Sequence, residues 1–584
     1  MTAKGNRPHS ASPNRPIIPK SADGLNRPFG ARPYLQPRTT LPVTTFDTEP
    51  TAVPSIGSSS AAKSALIIGL AFVLSRILGS LRDVLLYRHF GDRNPLLDAY
   101  VAAFRIPDLV FLGVMSVAFG AAFIPVFGGL LAEGDEESAW KLASAVIQVA
   151  TAATIVLCLI AFALADPLMS RLIAPDLPDS VMPDAIRTMR LLLLSPLLIG
   201  FGIAAKGILE SRDLFALPAL APVLYNVAIL FGVVVLAPSM GIEGVALGAV
   251  IGAGLHFAIQ IPGLFRSGLR FAFSRSPLHV TGVRTVLGLL GPRVIGQAAF
   301  QINFIWVSSL ANRTGDGNLF AINVSWQTLM LPHGLIALSI STVIFPRMAR
   351  LFEQGKTDEV RAVFTQALKP LLFLTIPASI GLYEFRDGFV NSFYRSEATR
   401  DAASIFTDPI AFLALGLVFY GLVEVAARIF YAMKDTRTPV IAGLLIIAFN
   451  MAFGLIFLDS LGHTGLAIGL TASTGIEALI LMAILRHRVG GLDRTFGDWF
   501  GRVLIAAAAM TLVAEWVSRQ LNRSIYEGGI GIPMTILMLL YAIFTVGATY
   551  FVAAWLLRIP EMTSGLGKAM RIAGRLPVVG RFAR

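Results

Sequence analysis

Three charges stand inside an apolar stretch near the start of the chain: Arg76, Arg82 and Asp83, in "LSRILGSLRDVLLYRHFG", residues 74–91. An ionised side chain at a bilayer centre costs at least about 2.5 kcal/mol, so such groups face a bundle interior or a water-filled cavity. On a helical wheel of about 100° per residue with Arg76 at zero, Asp83 falls near about −20°, Gly79 near about −60° and Ser75 near about −100°. Arg82 falls near about −120° and Ser80 near about +40° on the same wheel. Leu74, Ile77, Leu78, Leu81, Val84 and Leu85 fill the opposite arc. One face therefore suits a polar cavity and the other suits lipid or packing.

The next apolar stretch adds Asp98, Arg105 and Asp108, and Lys206, Arg293 and Arg428 lie within or near the ends of later ones. Arg76, with an apolar turn on both sides, is the foremost functional candidate. Arg82, Asp83, Asp98, Arg105, Lys206, Arg293 and Arg428 complete the candidate substrate-binding set. A competing reading has Arg82 with Asp83, and Arg105 with Asp98, tying helices together. Arg88, Arg212 and Asp213 read as groups at the membrane edge. A cationic cavity wants an anionic ligand, and arginine offers phosphate planar, bidentate donors while keeping its charge when partly desolvated. Asp83 and Asp98 would orient the arginines or neutralise the empty cavity. A lipid-linked ligand also needs a lateral opening, and the small-residue segments "FGAAF" and "GFGIAAKG" permit close helix approach at such a gate.

The surrounding chain is a membrane protein by composition. It is 55% hydrophobic and only 14% charged, with mean hydropathy +0.70, against about 25% charged in soluble domains. The single cysteine, Cys158, allows no internal disulfide, and no Cys/His metal spacing occurs. The net charge of +12 is spread over short loops, which fits loops facing anionic lipid and argues against a nucleic-acid surface. No phosphate-binding glycine loop ending in Gly-Lys-Ser/Thr is present, which argues against direct ATP use.

Residues 1–62 read as a disordered, basic, Pro-rich tail in which "NRP" occurs three times. From there to 557 the pattern predicts about fourteen membrane helices: 64–87, 97–131, 140–165, 188–209, 214–237, 241–264, 285–311, 318–346, 362–383, 404–432, 438–458, 463–485, 502–518 and 529–557. Pro107 and Pro332 are candidates to tilt or break the second and eighth. Loops after the even-numbered spans are basic, whereas "APSMG" and "DSLGH" carry no Lys or Arg. Both termini are therefore expected in the cytoplasm, with residues 558–584 a second basic tail.

The chain also repeats. "GIEGVALG" (241–248) matches "GHTGLAIG" (462–469), and "AFIPVFGGLLAEG" (122–134) matches "VIFPRMARLFEQG" (343–355), both at an offset of 221. Lys206 and Asp213 align with Arg428 and Asp435 at 222. An offset spanning six helices implies a parallel repeat. The expected fold is an all-α polytopic protein with two six-helix lobes, 63–266 and 267–490, and two further helices within 491–557. A ligand site would lie between the lobes.

The ordered blocks "SRILGSLRD…FG…DAYVAAFRIPDL…AFGAAFIPVF", "RDLFALPALAPVLYN", "GPRVIGQAAFQINF", "LPHGLIALSISTVIFPRMARLF" and "RIFYAMKDTRTPV" resemble the MurJ (MviN) family of the MOP exporter superfamily. The resemblance covers roughly 64–490. It implies a lipid II flippase of the cell membrane, not an enzyme, with no cofactor and with a coupling ion or the membrane potential as drive. It implies that Arg76, Arg82 and Asp83 are essential charges of the first helix, that Asp98 is the family's acidic residue opening the second, that the arginines meet the diphosphate and sugar head, and that cell-wall synthesis proteins are potential partners. It departs from the family at Phe111, Leu112 and Ser116, where an Arg pair and a Glu are expected, and at Gln327, where an Arg is expected. Four readings compete with lipid II transport: a flippase for another polyprenyl-diphosphate glycan, a drug or cation antiporter, a glycosyltransferase, and a non-transporting scaffold for wall assembly. The excess of cations disfavours the antiporter, and the short loops disfavour the glycosyltransferase.

Overall fold

The computed structural model describes residues 59–563 apart from 92, 117, 120–122, 395–403, 494 and 528–531. The tails expected at 1–62 and 558–584 lie almost wholly outside the described residues. Helices α1 (Ser59–Phe90), α2 (Pro95–Val110), α3 (Phe123–Ala132), α4 (Glu136–Ala163), α5 (Met182–Glu210), α6 (Ala216–Met240) and α7 (Ile242–Arg266) come first. A second set comprises α8 (Val283–Arg313), α9 (Asn318–Glu353), α10 (Thr357–Glu384), α11 (Ser404–Ala432) and α12 (Arg437–Val489). α13 (Thr495–Glu527) and α14 (Ile532–Leu556) follow. No strand occurs among the described residues.

Where about fourteen spans were expected, ten helices among the described residues are long and apolar enough to cross a membrane. One of the ten, α12, is two limbs meeting at Gly462. α2 stops at 16 residues because its path continues as a π turn, Phe111–Ser116. Pro107 and Pro332 do not break their helices. Each stays helical and is followed by a π turn, at Phe111–Ser116 and Gly334–Leu338. Proline removes one backbone donor, and a wider turn re-routes the carbonyls left over.

The repeat is visible in the backbone. Gly241 (φ 59°, ψ −141°) and Gly462 (φ 55°, ψ −146°) adopt the same unusual conformation. Gly134 and Gly355, and Asp213 and Lys434, likewise pair as positive-φ residues at the 221 offset. Asp213 therefore corresponds to Lys434, not to Asp435 as the 222 alignment had it.

Packing differs between the two ends of the molecule. Residues from both lobes share one core, in which Leu97, Ala102 and Val245 are joined with Val307, Phe320 and Phe406. At the opposite end there are two cores, one built on Phe123, Phe127 and Leu142 together with Val283 and Val286 from the start of α8, the other on Val360, Val425 and Leu481. The lobes thus share a core at one end and, apart from the start of α8, keep to different cores at the other, where the basic stretches 266–284, 347–361 and 433–437 lie. α13 and α14 pack on α10, with the Tyr550 hydroxyl donating to the Phe373 carbonyl at 2.9 Å.

Candidate functional site

The polar arc of α1 faces the seam between the lobes. Ser75, Arg76, Gly79, Ser80 and Arg82 line a cavity completed by Asn226 of α6 and by Gln327 and Leu331 of α9. Asn226 fastens this wall by donating to the Ser75 carbonyl at 3.2 Å and the Ser75 hydroxyl at 3.1 Å. Gly79 packs next to it, a Cβ there lying 3.7 Å from the Asn226 oxygen.

The two arginines of α1 are held differently. Arg82 folds back on its neighbour, with Nε donating to Asp83 Oδ1 at 2.9 Å and the pair closing to 2.8 Å. Its terminal nitrogen also donates to Gln327 Oε1 at 3.2 Å, so it bridges the lobes. Asp83 is buried. Arg76 lies over the Phe72 ring, 5.4 Å from its centroid, and forms no ion pair among the described residues. Its guanidinium is exposed to the cavity and keeps its donors for a ligand.

The remaining candidates scatter. Asp98 is only 1% exposed and accepts from the backbone N–H groups of Gly317 at 2.6 Å and Phe320 at 2.8 Å. It caps the start of α9 from the opposite lobe, where free N–H groups and the helix dipole favour an anion. Arg105 donates to the Ser308 hydroxyl of α8 at 2.7 Å and stands 5.4 Å from the Phe304 ring centroid. It does not pair with Asp98; the charge nearest in sequence is Asp108, one turn on. Lys206 is half-exposed and reaches Glu210 at 3.8 Å. Arg428 meets Glu424 at 3.0 Å, and the Ser341 hydroxyl donates to the same carboxylate at 2.9 Å. The Arg293 side chain lies outside the described residues.

The structure thus brings Arg76 and Arg82 to one cavity with Asp83 behind them. It places Asp98 at the shared end and pairs Lys206 and Arg428 with carboxylates four residues away. Glu210 and Glu424 were open to discovery by that i, i+4 spacing. Asn226 offered no local signal, since it matters only through contact with α1. Phe111 and Leu112, where the resemblance expects arginines, sit on the π turn and leave it uncharged. No cluster of three or more His, Cys, Asp or Glu suited to a metal occurs among the described residues.

The model of the family "Lipid II flippase MurJ" matches residues 88–530. A lipid II flippase MurJ of Burkholderia cenocepacia is 26% identical over 454 residues, covering 76% of this chain and 87% of that protein. A probable lipid II flippase MurJ of Rhizobium meliloti is 28% identical over 478 residues, covering 79% and 88%. Among solved structures, a lipid II flippase MurJ in an inward closed conformation superposes with a TM-score of 0.64 at 23% identity, covering 83% of this chain and 99% of that one. An inward-facing multidrug-resistance MATE transporter of the MOP superfamily gives 0.62 at 18% identity, covering 71% and 94%.

Proposed function

Because the chain belongs to the MurJ family of lipid II flippases, we propose that it moves lipid II from the inner to the outer leaflet of the cell membrane by alternating access. The observation that carries this reading is the cavity arc of α1, where Arg76 presents an uncompensated guanidinium beside Arg82. A diphosphate offers several oxygens to such a pair, and arginine binds them in a planar fork.

The state of the lobes supports an inward-open resting form. The parted end carries the basic loops and the joined end does not, and basic loops face the cytoplasm. In that orientation Asp98 and the start of α9 lie on the outer side and hold it shut. The substrate head enters from the open side and its phosphates compete for Arg82. A phosphate that takes the terminal nitrogen now serving Gln327 withdraws it from that acceptor, so loading loosens a bond between the lobes. Closure around the head then opens the Asp98 contact, and the head leaves on the outer face. The covalent bonds of the substrate are untouched, and Arg76, Arg82 and Asp83 act by binding and orientation alone. In this scheme Arg428 lies near the entry and Arg105 deeper along the path. The drive is a coupling ion or the membrane potential.

The test is flipping by reconstituted protein in vesicles carrying lipid II or another polyprenyl-diphosphate oligosaccharide. Wild type should flip lipid II. Arg76→Ala should reduce the rate at least about tenfold, the effect of losing about 1.4 kcal/mol of charge-assisted binding. Equal rates for Arg76→Ala and wild type would discard the phosphate grip. Transport of the other glycan lipid alone would move the substrate assignment to that glycan.

A further inference from the structure

The connector between the lobes, residues 267–282, is not part of the cavity. Its middle is extended and clamped to α4. The Ala272 N–H donates to the Ser144 hydroxyl at 3.0 Å, and Gln148 donates to the Ala272 carbonyl at 3.2 Å. The Ser274 N–H donates to the Gln148 side-chain oxygen at 3.3 Å. Ser144 and Gln148, one turn apart on α4, thus serve the connector as a neighbouring strand would.

Successive side chains of an extended segment alternate, which puts Phe271, Phe273 and Arg275 on one face, and all three are exposed. Phe271 is 56% exposed, Phe273 is 78% exposed and Phe265, on the last turn of α7, is 70% exposed. Arg266, Arg270, Arg275 and Arg284 are all exposed. Among the described residues none of the four forms an ion pair. By contrast, Arg187, Arg212 and Arg488, elsewhere on the surface, each hold a carboxylate. From 244 to 315 the chain contains no Asp or Glu. The segment therefore presents aromatic rings among guanidiniums that form no ion pair among the described residues, and its own stretch of chain carries no acid.

Depth along α4 says what the segment meets. α4 begins with Glu136, Glu137 and Lys141, and Ile155, Leu159, Ile160 and Phe162 are exposed apolar groups further on. Its 28 residues span about 42 Å, more than the roughly 30 Å of hydrocarbon. Ser144 and Gln148 lie about 12 and 18 Å from its start, where the helix passes from headgroups into acyl chains.

We propose that the connector is a binding surface for anionic phospholipid in the leaflet on the open side. Phe271 and Phe273 enter the headgroup–acyl boundary. Arg266, Arg270, Arg275 and Arg284 take the phosphate groups. The ligand is bilayer phospholipid, not the phosphates of the transported substrate. Because this strap joins the lobes, bound anionic lipid holds it on the first lobe while the second moves.

Hydrogen exchange of the full chain in nanodiscs tests this without any need for flipping. In phosphatidylcholine containing phosphatidylglycerol, exchange across 268–282 should be slower than in phosphatidylcholine alone by about fivefold or more, the effect of one basic residue at an anionic surface. A triple change, Arg266→Gln, Arg270→Gln and Arg275→Gln, should abolish that difference while the exchange of α4 stays as in wild type. Phe273→Ser should reduce it partially. Equal exchange in the two lipids, or an undiminished difference in the triple variant, would overturn the proposal. So would full protection produced in pure phosphatidylcholine by added lipid II, which would give the surface to the substrate.

Discussion

Replacing Asp98 by Asn should release the closed end of the molecule. The carboxylate accepts from Gly317 N–H at 2.6 Å and Phe320 N–H at 2.8 Å and is almost fully buried. Hydrogen bonds to a charged group contribute about 1.5–3 kcal/mol each, and a partly buried anion at a helix N-terminus gains up to about 2 kcal/mol from the dipole. Asn keeps one acceptor but turns an NH2 toward a backbone donor, so one bond and the charge are lost together. A cost of about 2–4 kcal/mol falls on the joined state alone, because the two partners sit on different lobes. That corresponds to a shift of roughly 30- to 900-fold in the equilibrium between joined and parted ends. The loops to label are close, since Arg93 Cα lies 3.0 Å from a Cβ built on Gly317. Spin labels at positions 93 and 316 should give one short distance in wild type and a dominant longer one in Asp98→Asn. The single native cysteine, Cys158, is buried and is replaced by Ser beforehand. A folded Asp98→Asn protein with an unchanged distance distribution would refute the idea that this carboxylate holds the end shut.

Two further outcomes follow from other parts of the fold. Gly248 meets Gly232 so closely that a Cβ on it would lie 2.7 Å from the Gly232 Cα, so Gly248→Val should cost about 1–3 kcal/mol through overpacking. It should lower the thermal midpoint in detergent, whereas Gly254→Val, into open space, should not. At the turn into α12, partial burial alone would raise the Asp435 pKa, but hydrogen bonds from the Thr438 hydroxyl and amide and from Arg488 outweigh it and bring the carboxyl down to about 2. A carboxyl held below its ordinary value near about 4 stabilises the fold above that pH and loses this contribution as pH falls toward the folded value. Asp435→Asn should therefore speed amide exchange at residues 435–440 at neutral pH, and the difference from wild type should vanish near the folded pKa.

The fold was legible because its signals are local. Apolar runs mark the helices, and the repeat could be read from Gly241 and Gly462 because only a glycine readily combines a φ near +60° with a ψ near −140° at a tight helix-to-helix turn. The polar arc of α1 was legible by the same logic, since periodicity alone puts Ser75, Arg76 and Gly79 on one face. What periodicity cannot supply is the partner. Asp98 reads as one more cavity charge, yet its oxygens go to backbone N–H groups of Gly317 and Phe320, more than two hundred residues away and invisible as side-chain chemistry. Arg428 and Lys206 read as free cations until the carboxylates one turn off are weighed with them. The π turns were missed because proline signals a disturbance without saying whether the helix will break or widen.

Two of the contacts that cross the seam, Asp98 with the start of α9 and Arg82 with Gln327, differ in what can undo them, and in the proposed cycle that difference sets the order. Asp98 meets backbone groups at the joined end, among residues of the shared core, where no ligand entering from the parted end can reach it. Arg82 meets Gln327 inside the cavity, where an anion competes directly. The Arg82–Gln327 bond joins a charged donor to a neutral acceptor, and a phosphate replaces that acceptor with a charged one, a stronger partner for the same guanidinium. In the proposed cycle, ligand binding acts first at Arg82 and reaches the Asp98 cap only through movement of α9, which carries Gln327 and begins at the cap. An effect on a two-state equilibrium requires different affinity for the two states. A helix holding both the ligand-sensitive acceptor and the capped end supplies that difference with no contact between ligand and latch.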